Sequence, residues 1–334
     1  MGRAGIVVWL GLAVALAPAA RAELAGHGGP VRTVAAGPGG QLLSGGFDYS
    51  LILWDVDGGS PKAILYGHDA AVNAAAVLPD GGALSVGDDG KVIQWDLAAA
   101  RPVRRLEGHG GRIAALAVDP AGTRAATAGW DQTVRLWDLA DGSGRALEGA
   151  AGNANAVAFS PDGAHLAAGG QDGVIRIWRV ADGVLLRSLD AGGLAVNGLA
   201  FTGIGSLAAV GADGGLRQWR LSEGESLRTL ALGPLPALAL AAAPETGMLA
   251  VAGIDGAVTL VSTTTGERLR RIAAHKGPSW AVSFGPGGRV LYIAGADGMV
   301  RLWDPATGVQ IGPPGRAGTA QVARGHLRRP GGLH

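Results

Sequence analysis

The chain contains no cysteine. It can therefore hold no disulfide, no cysteine nucleophile and no haem attached through thioethers, and it offers no cysteine for N-terminal lipidation. A fold without disulfides must rely on its hydrophobic core. An excess of charge is also missing, since 28 basic residues face 27 acidic ones for a formal net charge of +1. A phosphate-binding surface usually shows a clear basic excess, so nucleic acid is not an expected partner.

Long apolar runs are absent except near the start of the chain. There, residues 4–17 are mostly apolar, follow Arg3, and precede Ala-Arg-Ala at positions 20–22. The run is shorter than the ~20 residues of a membrane-spanning helix. The pattern predicts a signal peptide over residues 1–22 with cleavage before Glu23, and an uncleaved N-terminal anchor is the alternative. We therefore expect an exported protein of the bacterial periplasm.

Aromatic residues are scarce, at 5%, whereas glycine occurs 59 times. This composition predicts short strands joined by tight turns and is too apolar for general disorder. Tryptophan nevertheless recurs in steps of 41 or 42 residues, with one gap of two steps that Val261 divides equally. The chain therefore contains seven repeats. The recurring tryptophans are Trp54, Trp95, Trp137, Trp178, Trp219 and Trp303.

Two further columns keep the same register. A histidine, usually preceded by glycine, stands 27 or 28 residues before the tryptophan in four repeats: His27, His68, His109 and His275. An aspartate stands six residues before the Trp or Val261 position in every repeat: Asp48, Asp89, Asp131, Asp172, Asp213, Asp255 and Asp297. Chance does not place seven aspartates so regularly, so the repeats are structural units.

Each repeat divides into strand-length pieces. In the second repeat the apolar stretches 72–77, 83–86 and 92–95 are bounded by Gly, Asp and Pro. Four short antiparallel strands form one blade, which cannot bury both of its faces alone, and seven blades stacked around an axis bury them all. The predicted fold is all-β: a seven-bladed β-propeller of four-stranded antiparallel blades over residues 23–312.

The Gly-His, Asp and Trp-Asp columns resemble the WD-repeat family over residues 26–312. Repeats four to six depart from its pattern by losing Gly-His, and repeat six also loses the tryptophan. The resemblance implies that His bridges the turn Asp to a Ser or Thr hydroxyl, which reaches the Trp indole. The matching sets are His27, Ser44, Asp48, Trp54; His68, Ser85, Asp89, Trp95; and His109, Thr127, Asp131, Trp137.

These Ser/Thr, His and Asp groups also suggest a catalytic triad. Their repetition in successive blades favours buried structural hydrogen bonds, because a nucleophile belongs in one shaped pocket. The aspartates and histidines are spread over separate blades, so neither calcium nor zinc is expected. We therefore expect no enzyme activity, no metal and no cofactor. At the hydroxyl position repeats four to seven carry Ala168, Ala209, Val251 and Ile293, which predicts incomplete networks and more reliance on apolar packing.

Partner specificity should lie in positions that vary between blades yet face one surface. One such column directly precedes the turn Asp, and the other starts the innermost strand. Large aromatic and arginine side chains dominate binding hot spots, but the rings could instead pack between blades. The candidate binding residues are Arg32, Phe47, Asn73, Asp88, Trp130, Gln171 and Trp280.

The two ends raise the question of ring closure. Residues 307–312 parallel 265–270 and can supply the outer strand of blade seven, whereas only Glu23, Leu24 and Ala25 remain for an N-terminal strand. Closure is therefore expected to rest mainly on packing between blades one and seven. Residues 313–334 are rich in Gly, Pro, Ala and Arg without strand or helix periodicity, and predict a disordered tail.

The leading hypothesis is a monomeric, noncatalytic scaffold that binds another protein. A glycan or cell-wall binder is the first alternative, and its sign would be aromatics recurring in one column. The second is the propeller part of a redox protein, since some exported bacterial WD-repeat proteins resemble this chain and continue into a c-type cytochrome domain. The Cys-x-x-Cys-His motif of such a domain is absent here.

Overall fold

The computed structural model describes residues 23–222 and 226–312, and the predicted signal peptide and tail lie outside them. This part of the chain contains strands and two single-turn 3-10 helices, Pro244–Thr246 and Pro286–Gly288. The strands of the first three blades, with one that precedes them, are β1 (Glu23–Ala25), β2 (Val31–Ala36), β3 (Leu42–Gly46), β4 (Ser50–Asp55), β5 (Ser60–Tyr66), β6 (Val72–Val77), β7 (Ala83–Gly87), β8 (Val92–Asp96), β9 (Arg101–Leu106), β10 (Ile113–Val118), β11 (Arg124–Gly129), β12 (Val134–Asp138) and β13 (Gly144–Ala146). The strands of the last four blades are β14 (Ala154–Phe159), β15 (His165–Gly170), β16 (Val174–Arg179), β17 (Leu185–Asp190), β18 (Val196–Gly203), β19 (Ser206–Gly211), β20 (Gly215–Arg220), β21 (Ser226–Ala231), β22 (Ala237–Ala243), β23 (Met248–Gly253), β24 (Ala257–Ser262), β25 (Arg268–Ala273), β26 (Ser279–Phe284), β27 (Leu291–Gly295), β28 (Met299–Asp304) and β29 (Val309–Ile311).

The strands form seven antiparallel sheets, six of which follow the order of the chain, while the seventh also includes the N-terminal strand β1. Blades one to six are β2–β5, β6–β9, β10–β13, β14–β17, β18–β21 and β22–β25, and blade seven is built on β26–β28. The first strand of every blade contacts the first strand of the next, and β2 contacts β26, so these strands line a central channel. The predicted seven-bladed all-β propeller is confirmed, and the three strands expected in repeat two match β6, β7 and β8 to within one residue.

Apolar side chains are buried between blades rather than within them. Each of the seven interblade spaces holds one hydrophobic cluster. The column tryptophans of blades one to five and Val261 are buried in these clusters. Alternation along each strand directs side chains toward both neighbouring blades, which is why a single blade has no core of its own.

The innermost strand of every blade carries a β-bulge at its second residue. In blade one, Val31 pairs with Gly46 and Thr33 with Gly45, which leaves Arg32 unpaired between them. The same shift recurs in all seven blades. A bulge redirects a side chain relative to the regular pleat. The residues at the bulge are Arg32, Asn73, Ala114, Asn155, Asn197, Leu238 and Trp280.

Ring closure uses both ends of the described chain. Strand β1 pairs with the first half of β28, from Met299 to Arg301, and β29 pairs with the second half, from Leu302 to Asp304. Leu24 is fully buried in the cluster between blades seven and one. The N-terminal strand is only three residues long, so face packing and a short shared outer edge act together at this seam.

Candidate partner-binding site at the channel mouth

In each blade the regularly spaced aspartate lies in the turn between the second and third strands, for example Asp48 between β3 and β4, and we call this end of the blade the turn end. Blades one to three carry a hydrogen-bonded network that supports the face at the turn end. In blade one, His27 Nδ1 lies 2.9 Å from Asp48 Oδ2, His27 Nε2 lies 2.8 Å from Ser44 Oγ, and Trp54 Nε1 donates to that hydroxyl at 2.8 Å. Blade two repeats the chain of contacts through His68, Ser85, Asp89 and Trp95, and blade three through His109, Thr127, Asp131 and Trp137.

Burial determines the charge state of this network. It lowers the pKa of His27 below 6.5, and the attraction of Asp48 only partly opposes this effect. Burial acts in the opposite direction on Asp48, but the hydrogen bonds from the Gly28 N–H and from His27 prevail and lower its pKa. The same directions hold for His109 and Asp131. Near neutral pH, a neutral imidazole therefore donates from Nδ1 to an ionised carboxylate.

The network hydroxyls do not meet solvent. Ser44, Ser85 and Thr127 are fully buried, each between a histidine and a tryptophan. A nucleophile needs an adjacent space for the substrate and donors for the developing oxyanion. These three groups have no such space, so their chemistry is that of satisfied core hydrogen bonds.

Blades four and five replace the histidine by an arginine. Arg176 Nη1 lies 2.6 Å from Asp172 Oδ2, and Arg217 Nη2 lies 2.6 Å from Asp213 Oδ2. The Arg217 hydrogen bond lowers the pKa of Asp213, although burial opposes the shift. As predicted, these two networks have no hydroxyl link, because Ala168 and Ala209 stand at that position. Each aspartate still accepts the backbone N–H two residues later, as in blades six and seven.

The substituting arginines were not recognised from the sequence. The Asp-x-x-x-Arg spacing of Asp172 with Arg176, and of Asp213 with Arg217, was the available signal. Blade six has Thr259 at the arginine position, and Arg271, its cross-strand partner, reaches Asp255 at 2.6 Å instead. Blade seven has both a histidine and an arginine at its turn aspartate, because His275 and Arg301 contact Asp297 at 2.9 and 2.5 Å.

The channel opens at the turn end into a cavity of about 600 Å³. All seven bulge residues line this cavity. Their chemistry differs from blade to blade, and the set comprises arginine, asparagine, alanine, leucine and tryptophan. The bulge thus places the variable column predicted from sequence at the cavity. Of the residues predicted in the other column, Trp130 and Gln171 line the cavity.

Arginine and aromatic rings stack at one side of this mouth. The guanidinium carbon of Arg32 lies 4.6 Å from the Trp280 ring centroid and 5.7 Å from that of Phe47. Cation–π contacts of this geometry hold a guanidinium in place without neutralising its charge. Phe47 is 44% exposed and is not enclosed between blades.

A second cluster links blades two, three and four. Asp88 accepts a hydrogen bond from Asn73 Nδ2 at 2.6 Å and lies 2.9 Å from Arg112 Nε. Arg112 stacks over the Trp130 ring at 4.2 Å, and Trp130 Nε1 donates to Asn155 Oδ1 at 3.0 Å. The Trp130 ring is 40% exposed.

The asparagines at the bulge also join neighbouring blades. Asn73 donates to the Ile113 carbonyl at 2.9 Å, and Asn197 donates to the Ala237 carbonyl at 2.9 Å. In each case the acceptor is the first residue of the next inner strand. Asn73, predicted as a binding residue, is therefore committed to two intramolecular contacts. Gln171 accepts from Asn153 Nδ2 at 3.1 Å on the far side of the mouth.

Three residues of this face escaped the sequence reasoning. Arg112 stands one residue before its strand, outside both columns. Tyr49 and Tyr66 lie on blade one, as Phe47 does, and are 50% and 71% exposed. Tyr66 pairs with Ser50, directly after Tyr49, so both tyrosines lie at the turn end of the blade. Their only sequence signal was the rarity of tyrosine, which occurs three times in the chain.

Comparison with known families supports this description. Five segments match the WD domain, G-beta repeat: residues 20–55, 59–96, 100–138, 143–179 and 266–304. The matches cover more than half of the chain. It belongs to the WD40 repeat family. Members of this family are typically noncatalytic protein-interaction scaffolds.

The unmatched stretch between 179 and 266 holds β17, blade five and the first three strands of blade six, and both of these blades lack Gly-His. A search of curated proteins found no match to the chain. Within residues 23–222 and 226–312 no helix is long and apolar enough to cross a membrane, and no cluster of three or more His, Asp or Glu side chains could hold a metal ion.

Proposed function

We propose that this WD40 propeller is a noncatalytic scaffold of the bacterial periplasm that binds another protein, as a single ring, through its channel mouth. The observation that carries the proposal is that Arg32, Trp130 and Trp280 line one cavity, with the Phe47 ring next to Arg32. Partly exposed aromatic and arginine side chains supply most of the energy at protein interfaces. The apolar run of residues 4–17, with Ala-Arg-Ala after it, supports export.

The chemistry of the mouth favours an interface over catalysis. The polar side chains that line the cavity are arginines, amides and one threonine, none of which serves as a general base at neutral pH. Asp88, outside the lining, is engaged by Asn73 and Arg112. Ser44, Ser85 and Thr127 are buried beneath the surface. The face is also asymmetric, because Phe47, Trp130 and Trp280 lie on blades one, three and seven, whereas neither variable column carries an aromatic residue in blades two, four, five and six. A partner is therefore expected to lie over blades seven, one, two and three.

The test is capture from the periplasm of the native bacterium, using the tagged chain and a Trp130→Ala/Trp280→Ala variant. A matched control, Ile204→Ala/Leu227→Ala, removes exposed apolar side chains away from the mouth. We expect a specific protein that the wild type and the control retain and the tryptophan variant loses. A thermal unfolding curve for each variant shows that it is folded. Equal retention by all three folded proteins would contradict binding at this face.

A glycan ligand is the second candidate, and Tyr49 and Tyr66 favour it. Their exposed rings, on the blade that also carries Phe47, offer flat apolar surfaces of the kind on which sugar rings can stack. They belong to one blade rather than to one repeated column. Retention on insoluble peptidoglycan that is lost in Tyr49→Ala/Tyr66→Ala, but kept in Trp130→Ala/Trp280→Ala, would favour this candidate over a protein partner.

A further inference from the structure

The lining of the channel mouth is one-sided in charge. Among the described residues that line the cavity, the charged side chains are Arg32 and Arg112, and the rest are amides, tryptophans, one threonine and small or aliphatic residues. Asp88 lies outside the lining, 2.9 Å from Arg112. The wall therefore presents two positive groups and no carboxylate to whatever enters.

The two arginines are not equally neutralised. Arg112 Nε lies 2.9 Å from the Asp88 carboxylate, which also accepts a hydrogen bond from Asn73. Arg32 has no hydrogen bond or ion pair with any described residue, and its contacts are the rings of Phe47 and Trp280. A partly buried guanidinium that is stacked but unpaired keeps its five N–H donors available.

The surroundings make this charge costly in the empty ring. Burial, followed by repulsion from Arg112, lowers the pKa of Arg32, and the attraction of Asp88 only partly opposes them. Two like charges held beside one cavity favour an anion between them, because a carboxylate forms short, paired hydrogen bonds with a guanidinium. A basic partner segment would add a third positive charge and be repelled.

We propose that the mouth recognises an acidic segment of the partner protein, with an Asp or Glu carboxylate bound by Arg32 and Arg112. This inference rests on the proposed function. The cavity of about 600 Å³ accommodates such a side chain with its neighbours. Trp130 and Trp280 would pack against the apolar parts of the same segment. Gln171, which also lines the cavity, offers its Nε2 amide group to the backbone of that segment.

The test uses the purified full chain with a fluorescent hexaglutamate peptide, and hexaglutamine as the uncharged probe. We expect hexaglutamate to bind and hexaglutamine not to bind. Arg32→Gln and Arg112→Gln should each raise the Kd at least about tenfold, the effect of losing one charge-assisted contact. Arg289→Gln is the matched control, because it removes the same charge from an exposed arginine that precedes β27, at the opposite end of the blade. Its Kd should stay within about twofold.

Arg32→Lys separates charge from folding. It keeps the charge at the cavity, so it should bind more tightly than Arg32→Gln, and both should unfold at similar temperatures. Equal binding of the two peptides would overturn the proposal, as would equal weakening by Arg289→Gln. Preferential binding of polygalacturonate, probed in parallel, would assign the arginines to an acidic glycan and overturn the acidic-peptide assignment.

The outcome is distinguishable from failure of the proposed function. A captured protein that Trp130→Ala/Trp280→Ala loses but Arg32→Gln/Arg112→Gln retains would leave the scaffold in place and remove the carboxylate from its recognition. A captured protein that neither variant loses would contradict binding at this face altogether.

Discussion

Blades one to three and blades four to six hold the same turn in different ways. In the first group a buried histidine connects the turn aspartate to a hydroxyl and a tryptophan in the interblade core. In the second an arginine contacts the aspartate near the surface, and no equivalent chain of hydrogen bonds to the core is present at Ala168, Ala209 or Val251. The backbone of the blade is nevertheless the same in both groups.

The difference shows which part of the repeat pattern the fold requires. The turn needs a carboxylate that accepts the backbone N–H two residues later, and all seven blades have one. The histidine and hydroxyl connect that turn to the core as an additional constraint. The blades that keep this constraint also carry Arg32, Asp88 and Trp130, so the better-anchored half of the ring lies beneath the proposed binding surface.

The largest expected effect comes from breaking the anchored half. Ser85→Ala leaves the Trp95 N–H and His68 Nε2 without their shared partner inside blade two. Buried groups left unsatisfied each cost about 1–3 kcal/mol, so we expect a loss of about 2–4 kcal/mol in the free energy of unfolding, measured by urea denaturation.

Its counterpart is Arg217→Gln in blade five. That ion pair is partly exposed, with Arg217 18% and Asp213 25% accessible, and solvent screens it. Pairs of this kind contribute about 0.2–1 kcal/mol, so the loss should be smaller than for Ser85→Ala. Equal losses in the free energy of unfolding would show that the histidine network and the arginine pair stabilise the protein to the same extent. Blades one to three would then be no better anchored than blades four to six.

The turn itself gives an intermediate effect. The residue after the turn aspartate has a left-handed backbone in every blade; five blades use glycine there, whereas Tyr49 and Gln132 adopt φ values of 66°. Side chains in this region cost roughly 1–2 kcal/mol, which the greater unfolded-state freedom of glycine partly offsets. We expect Tyr49→Gly and Gln132→Gly each to stabilise the ring by about 0.5–1 kcal/mol.

Reciprocal and functional controls accompany this pair. Gly90→Ala places a Cβ at φ 71° and 3.0 Å from the Gly111 carbonyl oxygen, so it should destabilise blade two. Tyr49→Gly should weaken retention on peptidoglycan although it stabilises the ring, because the exposed tyrosine belongs to the surface of the glycan candidate. No gain in stability from either glycine variant would show that the turn accepts these side chains without strain.

Mild acid gives the smallest expected effect, seen as local opening rather than unfolding. The pKa values of His27 and His109 are lowered in the folded state, so the unfolded state binds more protons as pH falls through 6.5, and stability is lost. In blade five the titrating group is Asp213, whose lowered pKa keeps its contribution until pH falls below 3.8. Hydrogen exchange, corrected for intrinsic rates, should rise between about pH 7.5 and pH 5 in blades one and three but not in blade five. A uniform rise would contradict this difference.

The sequence was sufficient for the architecture because three columns keep one register through the chain. A spacing of 41 or 42 residues between Trp54 and Trp303 defines seven units, and alternating strands place their turns at one end. The same register located the variable positions that now surround the channel mouth. The seven blades and the variable positions could therefore be predicted from residue type and spacing alone, without knowledge of tertiary contacts.

The remaining features depend on pairing that spacing does not reveal. The bulge at Arg32 arises from a register shift between β2 and β3. The contact of Arg271 with Asp255 requires knowing that Arg271 lies opposite Thr259. Arg112 became visible only when its side chain was placed beside Trp130 and Asp88. The binding partner and the export prediction remain proposals for experiment.

The split outer edge of blade seven has a mechanical consequence. Because β1 and β29 both attach to β28, a tensile force applied across Glu23 and Ile311 loads one strand from two directions. Arg301 contacts Glu23 at 3.1 Å at the first attachment, and the short β29 ladder is the second. Rupture should therefore begin at this seam, and the remaining six blades should follow as a linear array that unravels from its newly exposed ends.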